Sequence, residues 1–454
     1  MTVKQTDRRN GGMIQKYKEL GEKLLKDWKG DNYTFGEGAL GAVGGYAARY
    51  GKKALVVAAE FGEPGGEWLM PFMREVADGL DTAGVSFSVE KGARPNAPRE
   101  DVYRIAMSVA KTKPDCIVAV GGGSTIDACK AASALAVFDG NDLEPYFGVD
   151  TVSAIATEED RKPLPVVAAQ TASSSGAHLT KYSNITDPAT GTKKLIVDDI
   201  LVPSAAVFDY RTTAGSPLAL TLDGALDGIA HCWEVFMGAT GKSYYEEIRE
   251  ITEAATRLIV DALPAVLANP KEIEPRVALG IGTDLGGYAI MIAKQNPSTG
   301  AMEKGGTNGG HLGSFQLIDF LSHGRACAVL NPYYTVLFAD AIEAQNRVMG
   351  RIFQDAGYVP GDINFDSLGG RDLAETVALA MIDFSENIGF PATLKEAGVP
   401  ESQIDIMVKA SKNPQLKMKL QNMPAPLNVE RGEVESKMGP TLRAAFTGDL
   451  TLIP

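Results

Sequence analysis

Short apolar, β-branched runs recur through the first half of this chain: KKALVVAA (52–59), VSFSVE (85–90), DCIVAV (115–120), PLPVVAA (163–169) and SAAVFD (204–209). Between the second and third lies REDVYRIAMSVAKT (99–112), whose apolar residues fall at helical spacing. Strand, helix and strand in repetition predict a parallel sheet covered on both faces, because a parallel neighbour is reached only through a crossover. After about residue 210 the β-branched runs stop. EEIREITEAATRLIVDALPAVLA (246–268), EPRVALGIGTDLGGYAIMIAKQ (274–295), RDLAETVALAMIDFSENIG (371–389) and ESQIDIMVKASK (401–412) carry helical periodicity instead. The expected organisation is a helical arm over residues 1–30, an α/β domain over 31–210 and an all-helical domain over 211–454.

Charge narrows the partners. The 454 residues hold 44 Lys+Arg against 57 Asp+Glu, a formal charge of −13. Such a balance argues against a nucleic acid or an anionic membrane, which need clustered positive charge. Small molecules or other protein chains are the expected partners. Cys116, Cys129, Cys232 and Cys327 are widely spaced without a CxxC, which predicts reduced thiols. The N-terminal MTVKQTDRRNGGMIQKYKEL is polar, and no long apolar run follows, so a soluble cytoplasmic protein is expected.

Two glycine motifs could cradle phosphates. GEGALG (Gly36, Gly38, Gly41) fits G-x-G-x-x-G, with Glu60 ending the next strand where a ribose-binding acid belongs, although an ordinary strand-to-helix turn explains it equally well. DCIVAVGGGSTIDACKAASAL (115–135) is better placed. It runs a strand straight into Gly121, Gly122, Gly123 and Ser124 and then into a helix that carries Asp127. Bare backbone lets a pyrophosphate approach, and the helix N-terminus attracts it. A third loop, QTASSSGAHLTKYSNITD (170–187), either brings hydroxyls such as Thr171, Ser174 and Thr180 to a cofactor or caps a helix.

LDGALDGIAHCWEVF (222–236) places Asp227 four residues before His231 on one helical face. A surface ion pair, a hydrogen-bonded core histidine and a shared metal all fit that spacing. Downstream, GGHLGSFQLIDFLSHGRACAVLNPYY (309–334) adds His311 and His323, so three of the four histidines lie in the helical half. One acid and three imidazoles suit a first-row divalent ion, zinc or ferrous iron, with a position left open for substrate. An unbroken helix from 311 to 323 would separate its ends by about 18 Å. The chain must therefore turn between the two histidines.

With these residues assembled, the chain resembles the iron-containing (group III) alcohol dehydrogenase family. YTFGEGALGAVGGYAARYGKKALVV resembles that family's opening, GARPNAP its PNP turn, VGGGSTIDACKA its pyrophosphate loop, and YSNITD with LVPSAAVFD its next landmarks. LDGALDGIAHCWEVF resembles the family's D-x-x-x-H helix and LSHGRACAVLNPYY its last metal histidine. The similarity spans roughly residues 30–445. It implies an α/β dinucleotide-binding domain followed by a helical metal-binding domain of the dehydroquinate synthase-like architecture, with the active site in the cleft between them. The implied ligands are Asp227, His231, His311 and His323, and the implied ion is Fe2+, with Zn2+ as the alternative. The implied reaction moves a hydride between NAD or NADP and an alcohol or aldehyde, in a homo-oligomer.

The departures are specific. Phe315 stands where the family often has a second histidine for proton relay. The G-T-G-S-E loop has become QTASSSGAHLT, which contains His178, and the acid ending the KALVV strand has become Ala59 with Glu60 beside it. Water, the cofactor ribose and His178 are then the candidate proton routes, and Lys193 or Lys194 resembles a family lysine that meets the cofactor. Two rival readings share the scaffold. One is a phosphate-substrate enzyme of glycerol-phosphate dehydrogenase or dehydroquinate synthase type, which calls for a basic cluster where only Lys304 and Arg325 are in view. The other is a non-catalytic nucleotide- or metal-binding protein.

Overall fold

A computed structural model describes residues 3–59, 67–138, 141–174, 176–187, 189 and 192–454. The chain divides into two compact units, one of Leu25–Thr221 with Lys271–Gly280, the other of Met1–Leu24, Leu222–Pro270 and Ile281–Pro454. This division is not a simple cut at residues 30 and 210. Most of the N-terminal arm groups with the helical half, and Lys271–Gly280 groups with the α/β half.

The strands of the α/β unit are β1 (Tyr33–Phe35), β2 (Lys53–Ala58), β3 (Ser86–Lys91), β4 (Cys116–Gly121), β5 (Gly148–Val149), β6 (Val166–Gln170), β7 (Tyr182–Asp187), β8 (Thr192–Val197) and β9 (Ala205–Phe208). Six of them form a sheet in the order β1-β9-β6-β4-β2-β3, every pair parallel, as the alternating sequence pattern predicts. Its helices are α2 (Val43–Ala48), α3 (Met70–Thr82), α4 (Arg99–Thr112), α5 (Gly123–Leu135) and α6 (Thr151–Glu159), preceded by α1 (Val3–Lys29). Alternate strand residues feed opposite faces. Leu55, Val57, Ile117 and Ala119 pack with Val102, Ile105 and Val109 of α4 and Ile126 and Ala132 of α5. Ala54, Val56, Val118 and Val120 pack with Val43 and Ala47 of α2 and Val76 and Leu80 of α3. Double coverage is why these strands read as unbroken apolar runs.

A second sheet, β5-β8-β7, was not foreseen; YSNITD, read as the end of a hydroxyl-rich loop, is its strand β7. The buried side chains of β7 are Ser183, Ile185 and Asp187. Only one of the three is apolar, so the two-residue period that marks a strand is invisible in hydrophobicity.

The helical half contains α7 (Leu218–Met237), α8 (Tyr245–Ala268), α9 (Ile273–Met291), α10 (Gly309–Ser314), α11 (His323–Leu337), α12 (Glu343–Asp355), α13 (Gly370–Asn387), α14 (Gln403–Ser411), α15 (Lys417–Gln421) and α16 (Gly439–Thr447). It is mostly rather than entirely helical: β10 (Ala293–Gln295) and β11 (Met302–Lys304) pair as an antiparallel hairpin. Their residues are largely exposed, so no apolar alternation announced them. The turn is set by Asn296 Oδ1, which accepts from Ser298 N and Thr299 N, and by Gly300 at φ +70°. Trp233 ties α7 to α11, its buried indole N–H donating to Thr335 Oγ1 at 2.9 Å. Among the described residues no helix is long and apolar enough to cross a membrane.

Candidate functional site

Asp227, His231 and Glu234 succeed one another along one stripe of α7, at the i, i+4 and i+7 spacing that a helix places in line. His311 lies within α10 and His323 opens α11, so the chain turns between them as the length argument requires. Two glycines allow the close packing. A Cβ on Gly324 would lie 1.9 Å from the backbone oxygen of Asp223, and one on Gly310 would lie 2.6 Å from Glu234 Oε1.

The structure brings the four residues named from sequence to one centre. Asp227 Oδ1 lies 3.7 Å from His231 Nε2, 3.6 Å from His311 Nε2 and 3.7 Å from His323 Nε2. Four donors set tetrahedrally at about 2.1 Å from one ion would stand about 3.4 Å apart. The three distances from Asp227 Oδ1 come close to that spacing and are too long for direct hydrogen bonds.

The tautomers fit as well. His311 Nδ1 contacts Glu234 Oε1 at 2.7 Å, which leaves Nε2 with its lone pair in the centre. That Nε2 is buried and has no hydrogen-bond partner among the described residues. Ser314 Oγ donates to the His311 carbonyl at 2.8 Å, so the same oxygen accepts from His323 Nδ1 at 3.1 Å and again leaves Nε2 facing inward. A metal-binding histidine is oriented in this way, by an acceptor on its remote nitrogen. Burial holds both inner imidazoles neutral: His231 falls to about 4, helped by the Lys419 charge and opposed by that of Glu234, and His311 falls well below its ordinary value. Neutral imidazole is the form that ligates.

Glu234 is fully buried. It accepts from Asn308 N, His311 N and Asn331 Nδ2 besides the imidazole. Burial pushes its carboxyl up, while Lys419 and these donors work against the rise. Among the four candidate donors His323 is the accessible one, its side chain 27% exposed against 5–6% for the others. The centre therefore opens to ligands on the His323 side.

Three residues at this centre escaped sequence reasoning. Glu234 stands one turn past His231, where no spacing rule distinguishes it from any other helical acid. Cys327, one turn after His323, brings its sulfur into a group with donor atoms of Asp227, His311 and His323 all within 4.8 Å of one another. Burial raises its thiol far above the ordinary value, which keeps it protonated. Lys419 of α15 is 7% exposed, hydrogen-bonds Thr307 Oγ1 and lies 5.8 Å from the centroid of the Phe315 ring. Neither Lys304, on an exposed strand, nor Arg325, paired to Asp223 at 3.2 Å, matches that burial.

In the α/β unit the glycine run stands where a dinucleotide is expected. Gly121 ends β4, Gly122 is extended, and α5 starts at Gly123. The sheet order changes direction between β2 and β4, and open α/β sheets bind ligands at the carboxyl ends of strands beside such a reversal. A Cβ on Gly121 would lie 2.8 Å from the Ala59 side chain that follows β2.

The other cofactor candidates are placed as follows. Ser124 Oγ accepts from Asn96 N, and Asp127 is spent internally, on Lys130 at 3.4 Å and on Asn184 N and Nδ2. Burial disfavours charge on both Asp127 and Lys130, and their pairing offsets part of that cost. Thr171 N donates to Gly121 O, Ser174 Oγ accepts from Gln170 Nε2, and Thr180 is buried. Lys193, on β8, pairs in register with Thr186 of β7. His178 packs between Tyr33 and Phe208 with Nε2 3.2 Å from the Tyr33 hydroxyl, a core position. Glu60 lies outside the described residues.

Residues 31–210 match the family model described as iron-containing alcohol dehydrogenase, and residues 221–431 match that of the C-terminal part of the Fe-containing alcohol dehydrogenase family. The chain is 27% identical over 385 residues to the NAD-dependent methanol dehydrogenase of Bacillus methanolicus, covering 83% of this chain and 90% of that protein. It is 26% identical over 392 residues to the 1,3-propanediol dehydrogenase of Klebsiella pneumoniae, covering 83% and 89%. Among solved structures, an alcohol dehydrogenase from Oenococcus oeni shares the fold with a TM-score of 0.75 at 23% identity, over 92% of this chain and 98% of that one. Consecutive matches to both family models, over the two segments that carry the glycine run and the candidate metal donors, place the chain in the iron-containing alcohol dehydrogenase family.

Proposed function

We propose that this protein is a metal-dependent oxidoreductase that exchanges a hydride between a nicotinamide dinucleotide and a small alcohol or aldehyde. The observation that carries the reading is the convergence of Asp227 Oδ1 with the Nε2 atoms of His231, His311 and His323. These four residues would hold a divalent ion, iron in first place and zinc as the alternative. When bound, such an ion supplies Lewis acidity to an alcohol or carbonyl oxygen.

The protein's own contribution is alignment. Glu234 and Ser314 fix the tautomers of His311 and His323, so that no ring has to reorient during turnover. Burial of His231 and His311 excludes water from the side of the centre opposite His323. The glycine run before α5 would receive the pyrophosphate, with Ser124, Thr171, Ser174, Thr180 and Lys193 as further contacts to test. NAD is the favoured cofactor, supported by the NAD dependence of the Bacillus methanolicus relative. Because His178 is engaged with Tyr33, water and the cofactor ribose are the preferred proton routes, and a pH–rate profile unaltered in His178→Ala would agree. Four buried free cysteines suit a reducing, cytoplasmic location, and we propose a homo-oligomer, to be sized by light scattering.

The test is anaerobic purification, metal analysis, and nicotinamide absorbance with alcohols and aldehydes in both directions. One equivalent of iron or zinc, lost in His311→Ala, together with turnover is expected. A metal-free protein that stays inactive after reconstitution would overturn the reading in favour of a binding role.

A further inference from the structure

Lys419 is a buried lysine for which the reaction above has no use. Its ammonium hydrogen-bonds the Thr307 hydroxyl and sits over the Phe315 ring, and that ring stacks on the imidazole of His323 at 6.3 Å between centroids and 15° between planes. Phe315 thus lies between Lys419 and the accessible side of the metal donors. Lys419 is also close enough for its charge to act on Asp227, Glu234, Cys327, His231 and His311.

Two features make this an unfinished site. The first is hydrogen bonding. An ammonium has three donors, and here its partner is a single hydroxyl. Since Thr307 Oγ1 accepts from Lys419, its own O–H remains available to donate. An ammonium and a hydroxyl side by side present converging donors, which suits the two oxygens of a carboxylate.

The second feature is charge. Among the described residues no carboxylate stands within ion-pair distance of Lys419. Burial disfavours the charged form of Lys419, and the acids whose charges oppose that are engaged elsewhere, Glu234 with His311, Asn308 and Asn331 and Asp227 among the histidines. A buried ammonium charge is costly until an anion meets it.

We propose that Lys419 and Thr307 bind an anionic group carried by the substrate, so that the preferred substrates are short aldehydes or alcohols bearing a carboxylate at the end remote from the reacting carbon. This inference rests on the oxidoreductase reading and names its substrate class. It differs from a phosphate-substrate enzyme in needing one cation and one hydroxyl rather than a basic cluster.

The experiment compares a homologous series of ω-carboxyaldehydes with unsubstituted aldehydes of equal chain length, using metal-loaded wild type, K419Q and T307V. Wild type is expected to favour the best carboxyaldehyde in kcat/KM on the order of 10- to 100-fold, the worth of hydrogen bonds to a charged group. In K419Q that ratio falls close to one, chiefly through KM, and T307V lowers it by a smaller factor. Absence of a preference in wild type overturns the proposal, as does a K419Q protein of full metal content that slows both series alike and keeps the ratio. Succinate binding by calorimetry gives a readout independent of turnover. If no aldehyde reacts, the oxidoreductase reading fails. Succinate binding that is lost in K419Q, with its melting temperature preserved, would still support the anion site, and equal binding by both proteins would overturn it.

Discussion

At the scale of single residues the most informative side chain is Glu234, which touches no substrate. It holds His311 by its remote nitrogen and takes three further N–H donors, so the imidazole reaches the centre already oriented. Glu234→Gln keeps the shape but replaces a charged acceptor by a neutral amide that can present its NH2 to the ring. Metal affinity is expected to fall by about 10- to 100-fold, measured by competition with a chelator. An unaltered affinity would show that the tautomer is fixed by other means. Asp227 and His231 were legible in the sequence because a helix converts a four-residue spacing into a shared face. His311 and His323 were legible because histidine is scarce here, four in 454 residues. Lys419 was not, since it reaches Thr307 across more than a hundred residues without any periodicity to announce it.

At the scale of elements, one short backbone approach decides whether the donors can meet. Gly324, the second residue of α11, lies against the carbonyl of Asp223 on α7, where an added Cβ would stand 1.9 Å from the oxygen. A backbone oxygen inside a helix cannot swing aside as a flexible side chain can. Gly324→Ala is therefore expected to move α11 off α7, costing about 2–3 kcal/mol of stability along with the ion. Gly361, with nothing within 4 Å of its Cβ position, is the matched control, and its replacement by alanine is expected to change neither thermal unfolding nor metal content. The strands that were legible, β2, β4, β6 and β9, are buried on both faces and so carry unbroken apolar runs. Strands β7, β10 and β11 were hidden because their stabilisation comes from backbone pairing and turn chemistry, with few apolar side chains to betray them.

At the scale of the whole molecule, a titratable group outside the centre sets part of the stability curve. Asp261 on α8 is raised to about 6, first by burial and then by the charge of Asp355, with Arg257 opposing. A carboxyl whose folded value exceeds its unfolded one of about 4 favours folding in acid. That contribution is complete below about pH 4 and disappears as pH rises through about 6. Asp261→Asn removes the dependence. The variant is expected to melt higher than the parent at pH 7.5 by the equivalent of about 1 kcal/mol, discounted for partial exposure, and to match it near pH 4. Parallel shifts at both values would point to a different origin.

All four donors ride on α7, α10 and α11, whereas the glycine run and its neighbouring loops belong to the other unit. On the proposed function, choice of ion and choice of nucleotide are thus written into separate stretches of polypeptide. A library aimed at cobalt or manganese can leave the β4–α5 loop untouched, and one aimed at the phosphorylated nucleotide can leave those three helices alone.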